Sequence, residues 1–108
     1  MLSDKTCGPC ATGAIPMKTE AAKLLLEQLP GWELAMEGRA IRRRYSFKDF
    51  TGALAFANKV GAVAESEGHH PDLMVGYGYV ECMVWTHSIA GLHENDFILA
   101  SKINQLQA

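Results

Sequence analysis

The sequence predicts an α+β domain: a four-stranded antiparallel sheet with three helices on one face, in the order α-β-β-α-β-β-α. Three observations predict it. Apolar residues recur at helical spacing in three separate stretches, and two further stretches alternate apolar and polar residues with a short glycine-containing turn inside each. The connections are short enough for hairpins, so antiparallel pairing with the helices gathered on one face is the simplest arrangement. At 108 residues the chain is long enough for one core.

The first helix begins at Thr19, expected as its N-cap, and runs through Leu29, with Ala22, Leu25, Leu26 and Leu29 at helical spacing. Pro30-Gly31 ends it. A hairpin comes next, Trp32 to Met36 and Ala40 to Phe47, turning at Glu37-Gly38; Ile41, Arg43, Tyr45 and Phe47 share one side of its second strand.

The second helix starts at Asp49 and stops at Gly68, with Phe50, Leu54, Ala57, Gly61 and Ala64 on its buried stripe and Val60 beside it. Pro71 keeps the chain from continuing as helix. Two strands occupy Leu73 to His87, interrupted by Gly76-Tyr77-Gly78. Val80, Cys82, Val84 and Thr86 share one face, and Tyr79, Glu81, Met83, Trp85 and His87 the other. The last helix spans Glu94 to Leu106, with Phe97, Ala100, Ile103 and Asn104 near one stripe and Ile98 and Leu99 widening it. One sheet face is left without helices. Met83 and Trp85 on it favour self-association over full solvation.

Composition narrows the function classes. The chain is 48% hydrophobic and 20% charged with a formal net charge of −2, which lacks the basic footprint of a nucleic-acid binder. The basic run Arg42-Arg43-Arg44 is expected on a solvated edge strand rather than in a phosphate site. No apolar run approaches the roughly 20 residues that span a bilayer. The N-terminus has no basic segment followed by an apolar one, so the cytoplasm is expected, with the three cysteines reduced.

Residues 1–17 are expected as a flexible tail and 18–108 as the folded domain. The tail carries Cys7-Gly8-Pro9-Cys10, the spacing of a thiol redox centre. Such a centre needs a preceding strand and a following helix. Here six residues precede Cys7, and Gly13 and Pro16 interrupt the segment after Cys10. A zinc half-site is the other reading, although no second Cys pair completes it.

The chemistry-bearing residues are the histidines. His69 and His70 come after the second helix and precede Pro71, and His87 closes the last strand. A helix end and a strand end can meet in space. From spacing, the cluster is open to acid–base chemistry, to metal binding with Asp96, or to no chemistry. Asp96 lies in the first turn of the last helix, where a carboxylate caps and complements the dipole. Glu65 alone would be a solvated helix residue, and His93 an exposed loop residue.

Taken together, Glu65, His69-His70-Pro71, Tyr77, His87 and Asp96, at these spacings, resemble the pattern of the pterin-4a-carbinolamine dehydratases. So do Tyr45-Ser46-Phe47-Lys48-Asp49-Phe50, Thr86-His87, Gly91-Leu92 and Asp96-Phe97-Ile98-Leu99-Ala100. The likeness covers about 24–103, and the Cys7/Cys10 tail resembles bacterial members associated with phenylalanine hydroxylase. The resemblance implies a dehydratase that removes water from 4a-hydroxytetrahydropterin to give the quinonoid dihydropterin, in tetrahydrobiopterin recycling. It implies no metal or other cofactor, a homodimer or homotetramer, and no nucleic-acid or membrane partner.

By the same likeness His69, His70 and His87 are catalytic, with His69 and His87 as the acid–base pair and His70 orienting the hydroxyl. Glu65 and Asp96 support them, and Trp32, Pro71 and Thr86 line the pterin pocket. Where His93 stands the family often has Ser or Thr, which cap a helix better. Three other functions share these residues: a metal-dependent hydrolase or lyase, a non-catalytic protein that dimerises a transcription factor as some animal relatives do, and a dehydratase of another pterin, including one linked to molybdenum-cofactor metabolism.

Overall fold

A computed structural model describes residues 2–8 and 15–107. It contains α1 (Thr19–Leu26), β1 (Glu33–Ala35), β2 (Ala40–Ser46), α2 (Phe50–Glu67), β3 (Asp72–Gly76), β4 (Tyr79–Val84) and α3 (Glu94–Leu106), with single 3-10 turns at Leu2–Asp4, Met36–Gly38 and His87–Ile89. The predicted order and the antiparallel sheet are both present.

The helix α1 is shorter than its apolar spacing suggests. Lys18, not Thr19, is the N-cap, and beyond Leu26 the chain tightens into turns, with Leu29 N–H donating to the Leu26 carbonyl at 3.0 Å. Pro30 disfavours helical backbone at the residue before it, which explains the early end. Leu29 is nevertheless buried from the turn.

β1 pairs with β2 in the expected hairpin, Leu34 opposite Ile41. Met36 and Glu37 leave the extended region for positive φ (51° and 56°), which cuts β1 to three residues. The sheet order is β1-β2-β4-β3, joined by the register Ile41↔Val84 to Ser46↔Tyr79. The arginine run is therefore on a central strand, not an edge. Arg42 and Arg44 lie on the open face, where Arg42 meets Glu33 at 2.9 Å and the Arg44 guanidinium sits 3.9 Å from the Tyr79 ring centroid. Arg43 turns inward and donates to the Asn104 side-chain carbonyl at 2.8 Å. Local alternation orders residues within a strand but carries no information on which hairpin strands become neighbours.

α2 begins as predicted: the Asp49 carboxylate accepts the Gly52 N–H at 2.8 Å. Gly68, at φ 66°, ends it in a Schellman arrangement, with His69 N–H reaching the Ala64 carbonyl at 3.2 Å and Gly68 N–H the Glu65 carbonyl at 3.3 Å. The buried stripe is Ala53, Phe56, Ala57, Val60 and Ala64. Phe50 and Leu54 are instead 43% and 44% exposed. The helix is apolar on several sides, so spacing alone left its rotation about its axis open. Phe56 settles it by packing on Tyr45 and Phe47, with ring centroids 4.7 and 5.1 Å away.

The core lies between the helices and the Ile41/Tyr45 and Val80/Cys82/Val84 rows of the sheet. Burial pushes the Cys82 thiol up to about 12, so it remains a neutral packing group. α3 buries Phe97, Ile98, Leu99, Ala100 and Ile103, because α2 and the sheet cover one side and the Leu2–Asp4 turn another. Residues 2–8 thus pack on the domain, with Leu2 only 6% exposed. Pro9 and Cys10, the second half of the cysteine motif, lie outside the described residues.

Candidate active site

The site is assembled where the C-terminus of α2, the end of β4 and the start of α3 meet. Because Gly68 turns the chain out of the helix, His69 is delivered to the N-terminus of α3, and its Nε2 lies 2.5 Å from Asp96 Oδ1. The imidazole is largely covered, and Asp96 is fully buried. The other Asp96 oxygen, Oδ2, accepts from the Thr86 hydroxyl at 2.9 Å and from the His93 N–H at 2.9 Å. Asp96 therefore caps α3 and grips His69 at once, one oxygen to each task. A carboxylate oxygen accepts, so the Nε2–H tautomer of His69 fits this contact and leaves Nδ1 outside it.

His93 caps the helix after all. Its Nδ1 accepts the Asn95 N–H at 3.1 Å, and with the Asp96–His93 bond this completes a capping box. An imidazole nitrogen of the right tautomer supplies the acceptor that Ser or Thr would supply.

His70, the next residue, points elsewhere. Its Nε2 meets Glu65 Oε1 at 3.2 Å, and both side chains are exposed. His87 lies beyond the end of β4 and packs on Trp85 with the rings tilted by 45° and their centroids 4.1 Å apart. Asp72 serves both, accepting the Trp85 indole N–H at 3.1 Å and lying 3.8 Å from His87 Nε2. Each of the three histidines thus faces a different carboxylate. Among the described residues no group of three His, Cys, Asp or Glu side chains comes together to hold a metal ion.

His69, His70, Thr86 and His87 line one cleft of about 250 Å³. Asp96 stands behind His69, and Glu65 beside His70. Trp32 is not brought there. It is buried, and its indole N–H donates to Asn104 Oδ1 at 2.9 Å. Asn104 lies two turns along α3 from Asp96, about 12 Å at 1.5 Å per residue. There it also accepts from Arg43 and from the Tyr45 hydroxyl, a hub of the core. Pro71 does not line the cleft; it comes directly after His70 and restricts the backbone there.

The cleft also takes Gly8, Trp85, Ser88 and Asn95 as lining residues, which sequence reasoning missed, as it missed Asp72, the partner of Trp85 and His87. Trp85 had a signal, since it shares a strand face with His87. Gly8, Asn95 and Asp72 reach the site through pairings that leave no local pattern.

The sequence model of the family described as pterin 4 alpha carbinolamine dehydratase matches residues 15–106. A protein of Halorhodospira halophila assigned to the pterin-4-alpha-carbinolamine dehydratases is 52% identical over 107 residues, covering 99% of this chain and 98% of the relative. Pterin-4-alpha-carbinolamine dehydratase 2, mitochondrial, of Arabidopsis thaliana is 48% identical over 110 residues, 98% of this chain and 59% of that protein. Among solved structures, a transcriptional coactivator/pterin dehydratase from Brucella melitensis superposes with a TM-score of 0.80 at 31% identity, over 86% of this chain and 99% of that one.

Proposed function

The chain belongs to the pterin-4-alpha-carbinolamine dehydratase family, and from that premise we propose that it eliminates water from 4a-hydroxytetrahydropterin by histidine acid–base catalysis. The observation that carries the reading is the shared cleft of His69 and His87, with buried Asp96 holding the first imidazole. The activity class is a hydro-lyase.

Elimination breaks the C4a–O bond as the hydroxyl gains a proton and leaves as water. The adjacent ring nitrogen loses its proton, and its electron pair forms the C=N bond of the quinonoid product. One imidazole gives a proton and another takes one, so the net charge of the site is unchanged, and exchange of one proton between the two rings, by way of solvent, restores the starting state. His69 and His87 are this pair. Asp96 fixes the tautomer of His69, while Asp72, 3.8 Å from His87 Nε2, gives that more exposed ring a nearby negative charge without a hydrogen bond. His70, held by Glu65, orients the hydroxyl, and Thr86 acts through Asp96. The carbinolamine loses water unaided, so only a modest lowering of the barrier is required.

Tetrahydrobiopterin recycling beside an aromatic amino-acid hydroxylase in the cytoplasm belongs to the same proposal, as does a homodimer or homotetramer. No helix of the described residues covers the sheet face bearing Met74, Glu81 and Met83, which supports the latter; light scattering would measure the mass. No helix of the described residues is long and apolar enough to cross a membrane. Stopped-flow dehydration of synthetic 4a-hydroxytetrahydropterin tests the function: a rate above buffer alone supports it, and the buffer rate overturns it.

A further inference from the structure

We propose that the N-terminal strap Leu2–Gly8 forms one wall of the pterin cleft, and that Asn95 is the residue that positions this wall for substrate binding. The inference rests on the dehydratase reading of the cleft. Its first support is a two-point bond between a buried side chain and a peptide. Asn95 is 3% exposed; its Oδ1 accepts the Gly8 N–H at 3.1 Å, and its Nδ2–H donates to the Gly8 carbonyl at 2.6 Å. The pairing spans 87 positions of sequence.

The anchors then continue along the strap. Glu67 Oε1 accepts the Cys7 N–H at 2.8 Å while its Oε2 meets Lys102 at 2.7 Å. The Cys7 thiol donates to the Asn95 backbone carbonyl at 3.5 Å. Lys5 pairs with Glu94 at 2.9 Å, Ser3 accepts from Gln105 at 2.8 Å, and Leu2 is buried in the core. The strap therefore runs along α3 and ends at the cleft, where Gly8 stands among His69, Trp85 and His87.

The chemistry at that end suits a flat ligand. Asn95 takes up the Gly8 N–H and bonds the Gly8 carbonyl once, so this peptide offers the ligand no free donor at Gly8 and is held in place at both polar groups. A Cβ at Gly8 would meet nothing within 4 Å, so the wall is bare backbone with open space beside it. A planar bicyclic heterocycle packs against such a surface, while Asn95 is adjacent in sequence to Asp96, which holds His69. Substrate contact and proton transfer are thereby set by neighbouring residues of one helical turn.

Cys7 provides a readout that is independent of turnover. Burial, followed by the nearby Glu67 carboxylate, pushes its thiol up to about 12, and with the thiol also bonded to the Asn95 carbonyl the docked strap alkylates slowly. Labelling by iodoacetamide then reports undocking, in a Cys10→Ser background, with Cys82 fully buried. The probe ligand is 7,8-dihydropterin.

Three results are expected. Dihydropterin slows Cys7 alkylation several-fold in the otherwise native chain. Asn95→Ala accelerates alkylation and raises KM roughly tenfold with kcat within about twofold, the mark of lost binding rather than lost chemistry. Gly8→Leu raises KM while alkylation of Cys7 stays at the native rate. Should Asn95→Ala fail to fold, dihydropterin protection and Gly8→Leu decide. An active enzyme with no dihydropterin protection and native KM in the variants overturns the strap proposal and leaves the dehydratase reading standing. A chain without dehydratase activity overturns that reading, and protection of Cys7 by dihydropterin would then still establish the strap as a pterin wall.

Discussion

His69 and Asp96 are 27 residues apart in sequence, yet the imidazole Nε2 and the carboxylate Oδ1 lie 2.5 Å from one another. The relationship is made by two local devices. The Gly68 stop aims His69 out of α2, and the His93–Asp96 capping box locks the carboxylate at the start of α3. Cap and site therefore share one side chain.

Asp96→Asn separates those duties. The amide can keep one oxygen for the Thr86 hydroxyl and His93 N–H, but it then presents an NH2 group to His69 and reverses the imidazole tautomer. We expect kcat to fall about 10–100-fold, with a stability loss of about 1–3 kcal/mol for the disturbed buried network. Thr86→Val, which removes only one donor, should cost less in both respects. Parallel urea titrations and dehydration rates check this. Native kcat in Asp96→Asn would show that the carboxylate serves the cap alone.

The imidazole cap at His93 makes its own prediction. His93→Ala removes the acceptor for the Asn95 N–H and should lower stability by about 1 kcal/mol, and His93→Ser should restore most of it. Urea midpoints of the two variants give the comparison. Equal losses in both would mean that the ring acts by packing and not as a cap.

Acid sensitivity arises from Glu67. The Lys102 ammonium, and after it the Cys7 N–H, hold its carboxyl below the ordinary carboxylate range. A folded-state pKa below the unfolded one contributes stability at pH values above the unfolded pKa. That contribution is lost as pH falls through the folded pKa. Glu67→Gln should accordingly be less stable than the native chain at pH 7, and the gap should narrow below about pH 4, where the unfolded-state carboxyl is protonated. A gap of constant size from pH 7 to 3 would show that charge is not the cause.

Much of the architecture is legible from local chemistry. Gly68, the Val80/Cys82/Val84 row and the Glu94–Leu106 helix are where spacing and capping put them, since each depends on neighbours within a few residues. The convergence of His69 and His87 comes from a helix stop and a strand end. Features that depend on distant partners were not legible. The rotation of α2 about its axis was decided by Phe56 against Tyr45 and Phe47. The central place of β2 was decided by its pairing with β4. Trp32 was drawn into the Asn104 hub away from the cleft, and Asn95 took the Gly8 peptide across most of the chain.

The claim that two histidines of one cleft carry the proton transfers is tested most directly by stopped-flow dehydration of 4a-hydroxytetrahydropterin by the native chain, His69→Ala, His87→Ala and the double variant. General acid–base contributions of about 10²–10⁴-fold set the scale. The account predicts a native rate above buffer, a loss of at least about 10²-fold in each single variant, and a larger loss in the double. Full native activity in both single variants would contradict it.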